Sequence, residues 1–155
     1  MTRRCLLILF LALFAIDAFA QMPTPVPTPA PIDISGMYTF LHEGEFVQLT
    51  LNGSVLSGFI SRFADDKQES FVDQFFNKAS WNNGDLSFET KKAKGVWYEF
   101  QGTAKQAPGK TAQQEGFIVL TGKLTNHEPG PDGKDVANVQ QVEFESFAAD
   151  EVPPK

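Results

Sequence analysis

The stretch FVQLTLNGSVLSGFISRF, residues 46–63, decides the fold class. Val47, Leu49 and Leu51 alternate with Gln48 and Thr50, the period-two pattern of a strand with one buried face. Asn52-Gly53 follows, and both residues tolerate the positive φ that a two-residue hairpin turn demands. Val55 to Phe63 is then the return strand, with Gly58 at a bend or bulge. Asn52-Gly53-Ser54 also matches the N-glycosylation acceptor pattern, but within a hairpin the turn alone accounts for these residues.

The same texture extends outward in both directions. Upstream, Gly36 to Leu41 reads as a first strand and Glu43-Gly44-Glu45 as a tight turn. Downstream, Leu86 to Lys92, Val96 to Thr103, Gly116 to Leu124 and Val142 to Phe147 read as strands. Asn82-Asn83-Gly84-Asp85, Gly95 and Pro108-Gly109 supply turns between them. Glu128 to Asn138 is polar and rich in Gly and Pro, and reads as a loop. Residues 64–80 depart from the pattern. Phe71, Phe75 and Ala79 recur every fourth residue, as do Val72 and Phe76, and Asp66 with Glu69 fits a capping box. The spacing predicts a short amphipathic helix with Asp73, Gln74 and Asn77 on its outer face. Short turns join antiparallel neighbours, and closing a meander removes its exposed edges. The expected fold is therefore all-β: a single antiparallel meander of about seven to eight strands, closed or nearly closed into a small barrel, with one short amphipathic helix.

The ends are of a different kind. Arg3 and Arg4 precede an apolar run from Cys5 to Ile16, and Ala18-Phe19-Ala20 supplies a small-x-small cleavage site, so residues 1–20 read as a secretory signal peptide. The run is shorter than the roughly 20 apolar residues of a spanning helix. Residues 21–33 hold a Pro-rich linker, with proline at alternate positions from Met22 to Pro31, a polyproline-type spacer. Residues 34–147 form the barrel domain, and 148–155 a flexible acidic tail. The expected location is secreted or periplasmic. Removing residues 1–20 takes Arg3, Arg4 and Asp17 and leaves 11 basic and 18 acidic residues, a net charge of −7. Such a chain repels phosphate backbones and anionic lipid surfaces, so nucleic acid is not an expected partner and no membrane span is expected after signal removal. Cys5, the only cysteine, leaves with the signal, so stability must come from an ordinary core without disulfides. Phenylalanine, 15 in the chain and three of them in the signal, is its main material.

No motif commits the chain to a reaction. His42 and His127 have no neighbours at metal-ligand spacing, and Asp132-Gly133-Lys134-Asp135 lacks the repeating ligands of a calcium loop, so no metal and no cofactor are expected. There is no G-x-S-x-G nucleophile elbow. Glu43, Glu45, Glu89, Glu99, Glu143 and Glu145 lie on or beside strands, where solvated faces account for most of them. Glycosidase chemistry would need two of them to face one another. Trp97-Tyr98-Glu99-Phe100 is the densest cluster, and alternation sends Trp97 and Glu99 to one face and Tyr98 and Phe100 to the other. One face is then core; in a barrel with a lumen, the aromatic beside the carboxylate would be a ligand wall, with Arg62 as the opposite charge.

Gly36-x-Tyr38-x-Phe40, Leu49-x-Leu51-x-x-x-Val55 and Ser57-Gly58 resemble the opening of small secreted ligand-binding barrels of the lipocalin-like and avidin-like groups, and the chain resembles small secreted bacterial proteins of that type. The resemblance covers about the first third of the folded domain. Lipocalins carry tryptophan where Tyr38 stands, and a helix at 66–79 has no place in an avidin-like barrel. What the resemblance implies is a non-enzymatic barrel that binds a small or apolar ligand, with Tyr38, Arg62, Phe76, Trp97 and Glu99 as candidate wall residues and the Phe-rich helix as a lid. The alternatives are a solid-core structural or interaction protein that works through its surface or Pro-rich linker, and a hydrolase that uses strand carboxylates.

Overall fold

The computed structural model describes residues 32–64 and 70–149. The signal peptide, nearly all of the Pro-rich linker and residues 150–155 of the tail lie outside the described residues. Eight strands follow one another in strict sequence order: β1 (Gly36–Thr39), β2 (Phe46–Asn52), β3 (Val55–Phe63), β4 (Phe71–Asn82), β5 (Asp85–Thr90), β6 (Trp97–Gln106), β7 (Ile118–Pro129) and β8 (Asp135–Glu145). Each pairs antiparallel with the next. The sheet curls through 233° into a near-barrel. It closes only at one end of the seam, where Tyr38 bridges Ser146 and the Phe147 amide donates to the Met37 carbonyl.

Both hairpins form, but the first turns one residue later than the expected Asn52-Gly53: Asn52 ends β2 and only Gly53 takes a positive φ, of 62°. Asn52 pairs with Val55 across Gly53-Ser54, and Asn82 pairs with Asp85 across Asn83-Gly84. Asn83 and Gly84 hold φ of 49° and 99°, the left-handed pair that a primed turn requires.

Among the described residues the helix expected over 64–80 is absent, and Phe71–Asn82 is strand β4. A spacing of four fits two strand periods as well as one helical turn, so Phe71/Phe75 and Val72/Phe76 are same-face pairs in either structure. Long-range pairing breaks the tie, because β3 would otherwise carry an open edge. Phe75 pairs with Phe59 and Phe71 with Phe63. A register shift between Phe76 and Lys78 marks where β4 leaves β3 and joins β5. This bulge adds one residue, so Ala79 and Trp81 face inward as Phe76 does. Asp66 and Glu69, the expected capping box, lie outside the described residues.

The loop expected at Glu128–Asn138 is also shorter than its composition implies. β7 and β8 continue as a hairpin to Pro129 and Asp135, leaving only residues 130–134 as the turn. The β8 arm is solvent-exposed on both faces there, so no buried face imposes an alternating pattern on its sequence.

Inside, side chains fill the barrel. Leu49, Ile60, Phe100, Leu120 and Leu124 are fully buried, and Ile34 plugs the end opposite the seam's open part. A chain of rings runs through this core: Phe76 stacks on Phe88, Phe88 on Phe100, Phe100 meets Phe144, and Phe144 reaches Phe40 across the seam at 5.2 Å. Phe40 in turn meets the Tyr98 ring edge-on at 5.3 Å. Gly102 and Gly122 sit opposite one another on β6 and β7. A Cβ at either would run into the Phe100 ring, so the glycine pair is the recess in which that ring lies.

Candidate functional site

The connections β1–β2, β3–β4, β5–β6 and β7–β8 all fall at one end of the barrel, and there the interior changes from apolar to polar. Arg62 on β3, Gln74 on β4, Thr90 on β5 and Tyr98 on β6 take the inward positions that aliphatic and aromatic residues hold deeper down. They border a cavity of about 410 Å³ lined by Arg62, Tyr98, Asn126, Glu45, Glu128 and His42, with Leu41, Phe63, Ala64 and Val96 as its apolar part.

Arg62 is the centre of this mouth. Its side chain is only 8% exposed. Nε donates to Gln74 Oε1 at 2.5 Å, Nη1 to the Phe63 carbonyl at 2.9 Å, and Nη2 to the Ala93 carbonyl at 3.4 Å. The guanidinium carbon lies 5.9 Å from the centre of the Tyr98 ring, within cation–π range. Among the described residues no carboxylate lies within 4 Å of it. Gln74, 1% exposed, holds the arginine in place and also donates to the Lys91 and Val96 carbonyls at 3.1 and 2.9 Å, tying β3 and β4 to the β5–β6 connection.

The carboxylate of Glu45 is committed to backbone. Its two oxygens accept from the Phe63 amide at 3.0 Å and the His42 amide at 3.2 Å, which fixes the β1–β2 turn against the end of β3. Asn126 differs, since its Oδ1 is buried at the mouth and accepts no hydrogen bond from the described residues. An unmet buried acceptor costs about 1–3 kcal/mol, so this atom favours any occupant that brings a donor. Burial raises the pKa of the Tyr98 phenol, partly offset by Arg62, with Glu45 and Glu128 pushing it further up. Tyr98 therefore stays a neutral donor and acceptor at ordinary pH.

The five residues singled out from the sequence do not come together. Arg62 alone lines the mouth. Tyr38 is fully buried, its hydroxyl donating to the Ile34 carbonyl at 2.7 Å. Phe76 packs in the core stack. Trp97 and Glu99 face outward: Trp97 stacks on His127 with ring centres 3.6 Å apart, and Glu99 Oε2 lies 3.7 Å from His127 Nε2. At 3.7 Å that contact is too long for a hydrogen bond, and among the described residues His127 Nε2 has no hydrogen-bond partner. Glu89, also outward, accepts from Lys78 and Asn77. Asp132 Oδ1 accepts from the Lys134 amide and Asp135 pairs with Lys92, so the Asp132–Asp135 stretch is an ordinary turn. Among the described residues, no group of three or more His, Cys, Asp or Glu side chains is placed to hold a metal ion.

Burial also raises the Tyr38 pKa, with Asp33 adding to the effect. The two tyrosines are the only ones in the chain. Unfolded, each loses its proton near the ordinary value of 10.0; folded, each keeps it to higher pH. The native state then binds more protons, so stability is intact below pH 10 and falls above it, at a limiting slope of about 1.4 kcal/mol per pH unit per tyrosine. In an alkaline titration followed at the tyrosinate absorbance, both phenols should ionise together in one step steeper than a single-proton curve, coincident with loss of the sheet's circular dichroism. A shallow, independent step near pH 10 would contradict the burial of one of them.

Fold and mouth together define the class: a small eight-stranded antiparallel near-barrel with a packed core and one polar, concave end. No protein-family model matches the chain, and no curated protein matches it in sequence. Among solved structures it is similar to intact afifavidin in its apo form, with a TM-score of 0.49 and 14% identity, covering 79% of this chain and 89% of that one.

Proposed function

We propose that the protein is an exported, non-enzymatic binder that holds a small ligand at the barrel mouth. The observation that carries this is the buried Arg62 guanidinium lining a 410 Å³ cavity beside the unmet Asn126 Oδ1. A cation held by neutral partners favours a carboxylate or carbonyl oxygen, and the amide oxygen favours an N–H or O–H. The volume falls at the small end of the range for ligand pockets, roughly 300–1,000 Å³. The packed core leaves no long apolar lumen, so the ligand sits at the mouth with its polar groups inward. Glu99, one of the strand carboxylates weighed for hydrolysis, lies on the outer surface away from this cavity.

Native mass spectrometry of the protein, gently purified from its own host, tests the proposal. The expected result is a discrete added mass, retained by Val55→Lys on the outer surface and lost in Arg62→Met, which keeps the length of the side chain and removes its charge. A bare mass, together with no stabilisation of the wild-type protein by a panel of small carboxylic acids and amides in thermal melts, would overturn it.

A second reading, an interaction protein working through its surface, has one specific observation behind it. Phe46, Phe59 and Phe75 form a ladder across the outside of β2, β3 and β4 at 5.8 and 5.4 Å spacing, with Phe63 and Phe71 packed against each other beside it, their ring planes tilted by 35°. Phe71 and Phe75 are more than half exposed. Rings on an outer face have no role in the core and point to a covering surface.

A further inference from the structure

The seam leaves most of β8 without a neighbour on one side. β1 meets β8 only at its C-terminal end. There the Ser146 amide donates to Ile118 of β7, while the amides of Glu145 and Phe147 point the other way, to Thr39 Oγ1 and the Met37 carbonyl. The β7–β8 register runs unbroken from Val119↔Glu145 to Pro129↔Asp135. The alternation therefore carries down the strand, and the amides and carbonyls of Ala137, Val139 and Gln141 also point away from β7. Among the described residues nothing pairs with them. This is an open strand edge, and Val136 and Val139 on it are 41% and 59% exposed.

Such edges are ordinarily blunted by charge, proline or a bulge. Residues 136–142, VANVQQV, have none of these. Their sequence is symmetric in its valines, at 136, 139 and 142. In an antiparallel pairing centred on Val139, that residue faces its own copy as a hydrogen-bonded pair, Val136 faces Val142, Ala137 faces Gln141 and Asn138 faces Gln140. Valine meets valine, the Asn138 amide meets the Gln140 amide, the small Ala137 leaves room for Gln141, and the outward groups of 137, 139 and 141 each find a partner. Only at the flanks do like charges meet, Asp135 against Glu143, and Lys92 already pairs with Asp135. A two-fold contact needs a self-complementary surface, and this strand is one.

We propose that β8 is a self-association edge, through which a second copy of the chain adds its β8 antiparallel about Val139 to make one continuous sheet across two barrels. This is independent of any ligand at the mouth.

Cysteine cross-linking tests both the partner and the register. Hydrogen-bonded antiparallel pairs place their Cα atoms about 5.5 Å apart, inside the range a disulfide spans. In a full-length Cys5→Ser background, Val139→Cys should oxidise to a covalent dimer at least about tenfold faster than Ala137→Cys on the same edge or Val55→Cys on the outer surface, because only position 139 meets itself and gains the raised effective concentration. In sedimentation equilibrium, the parent chain should associate to a dimer and Val139→Lys, at an exposed position, should be monomeric with an unchanged circular dichroism spectrum. A parent chain that is monomeric at hundreds of micromolar, a dimer that survives Val139→Lys, or equal cross-linking at 137 and 139 would each overturn the proposal.

Discussion

Gln74→Leu is expected to lower stability by about 3–5 kcal/mol, the range for removing one partner from a buried, hydrogen-bonded charge. Leucine matches the amide in size but leaves Arg62 Nε and the Lys91 carbonyl without their side-chain partner, and takes from the Val96 carbonyl one of its two donors, the other being the Ala93 amide. A domain of this size has a total stability of roughly 5–15 kcal/mol, so the loss is a large fraction of the whole. Urea denaturation of the two proteins measures it as a fall in midpoint at constant slope. Asp73→Leu is the partner experiment. Asp73 is exposed on the outer face of β4, and its replacement should move stability by no more than about 0.5 kcal/mol. In a helix the two neighbours would both have faced solvent. A loss at 73 equal to that at 74 would contradict the strand.

Phe100→Ala should cost as much, about 3–5 kcal/mol, and fall at the upper end of what large-to-small core substitutions cost. The ring is fully buried between Phe88 and Phe144. The cost of such a cavity depends on how far the surroundings can relax into it. Here the floor is the Gly102–Gly122 pair, which has no side chains to move, so the space stays empty. The same denaturation series, with Leu51→Ala at a partly buried position as reference, should rank Phe100→Ala well below it in stability. Equal losses would mean that the core closes over the vacancy.

The β architecture was legible because its signals are local. Val55–Phe63 is one uninterrupted strand with the bounds its composition implies, and Asn83-Gly84 makes the turn that its residues permit. The β4 segment misled because a four-residue repeat carries no information that separates a helix from a strand. The residue that could have separated them, Gln74, is polar and buried, and its burial depends on carbonyls 17 and 22 residues further along the chain. The candidate site was legible in one residue only. Arg62 is a lone charge in an apolar run, which marks it as either an error in the pattern or a functional position. Glu45, Tyr98, Asn126 and Glu128 come to the same mouth only when the meander curls, and curvature is a property of the whole sheet. Trp97 and Glu99 drew attention by density, yet they occupy the outward parity on β6 while Tyr98 and Phe100 occupy the inward one.

The strict β1-to-β8 order has a kinetic meaning. Every ladder except one joins neighbours along the chain, so most of the sheet can be assembled by hairpins that add in turn, each closing a short loop of little entropic cost. The Tyr38–Ser146 bridge spans nearly the whole domain and must wait until the curl has brought its ends together. That seam is the last piece to form and the first to open, and the barrel breathes as a clasp does, from one edge, while the β4–β5 ladder on the far side stays shut.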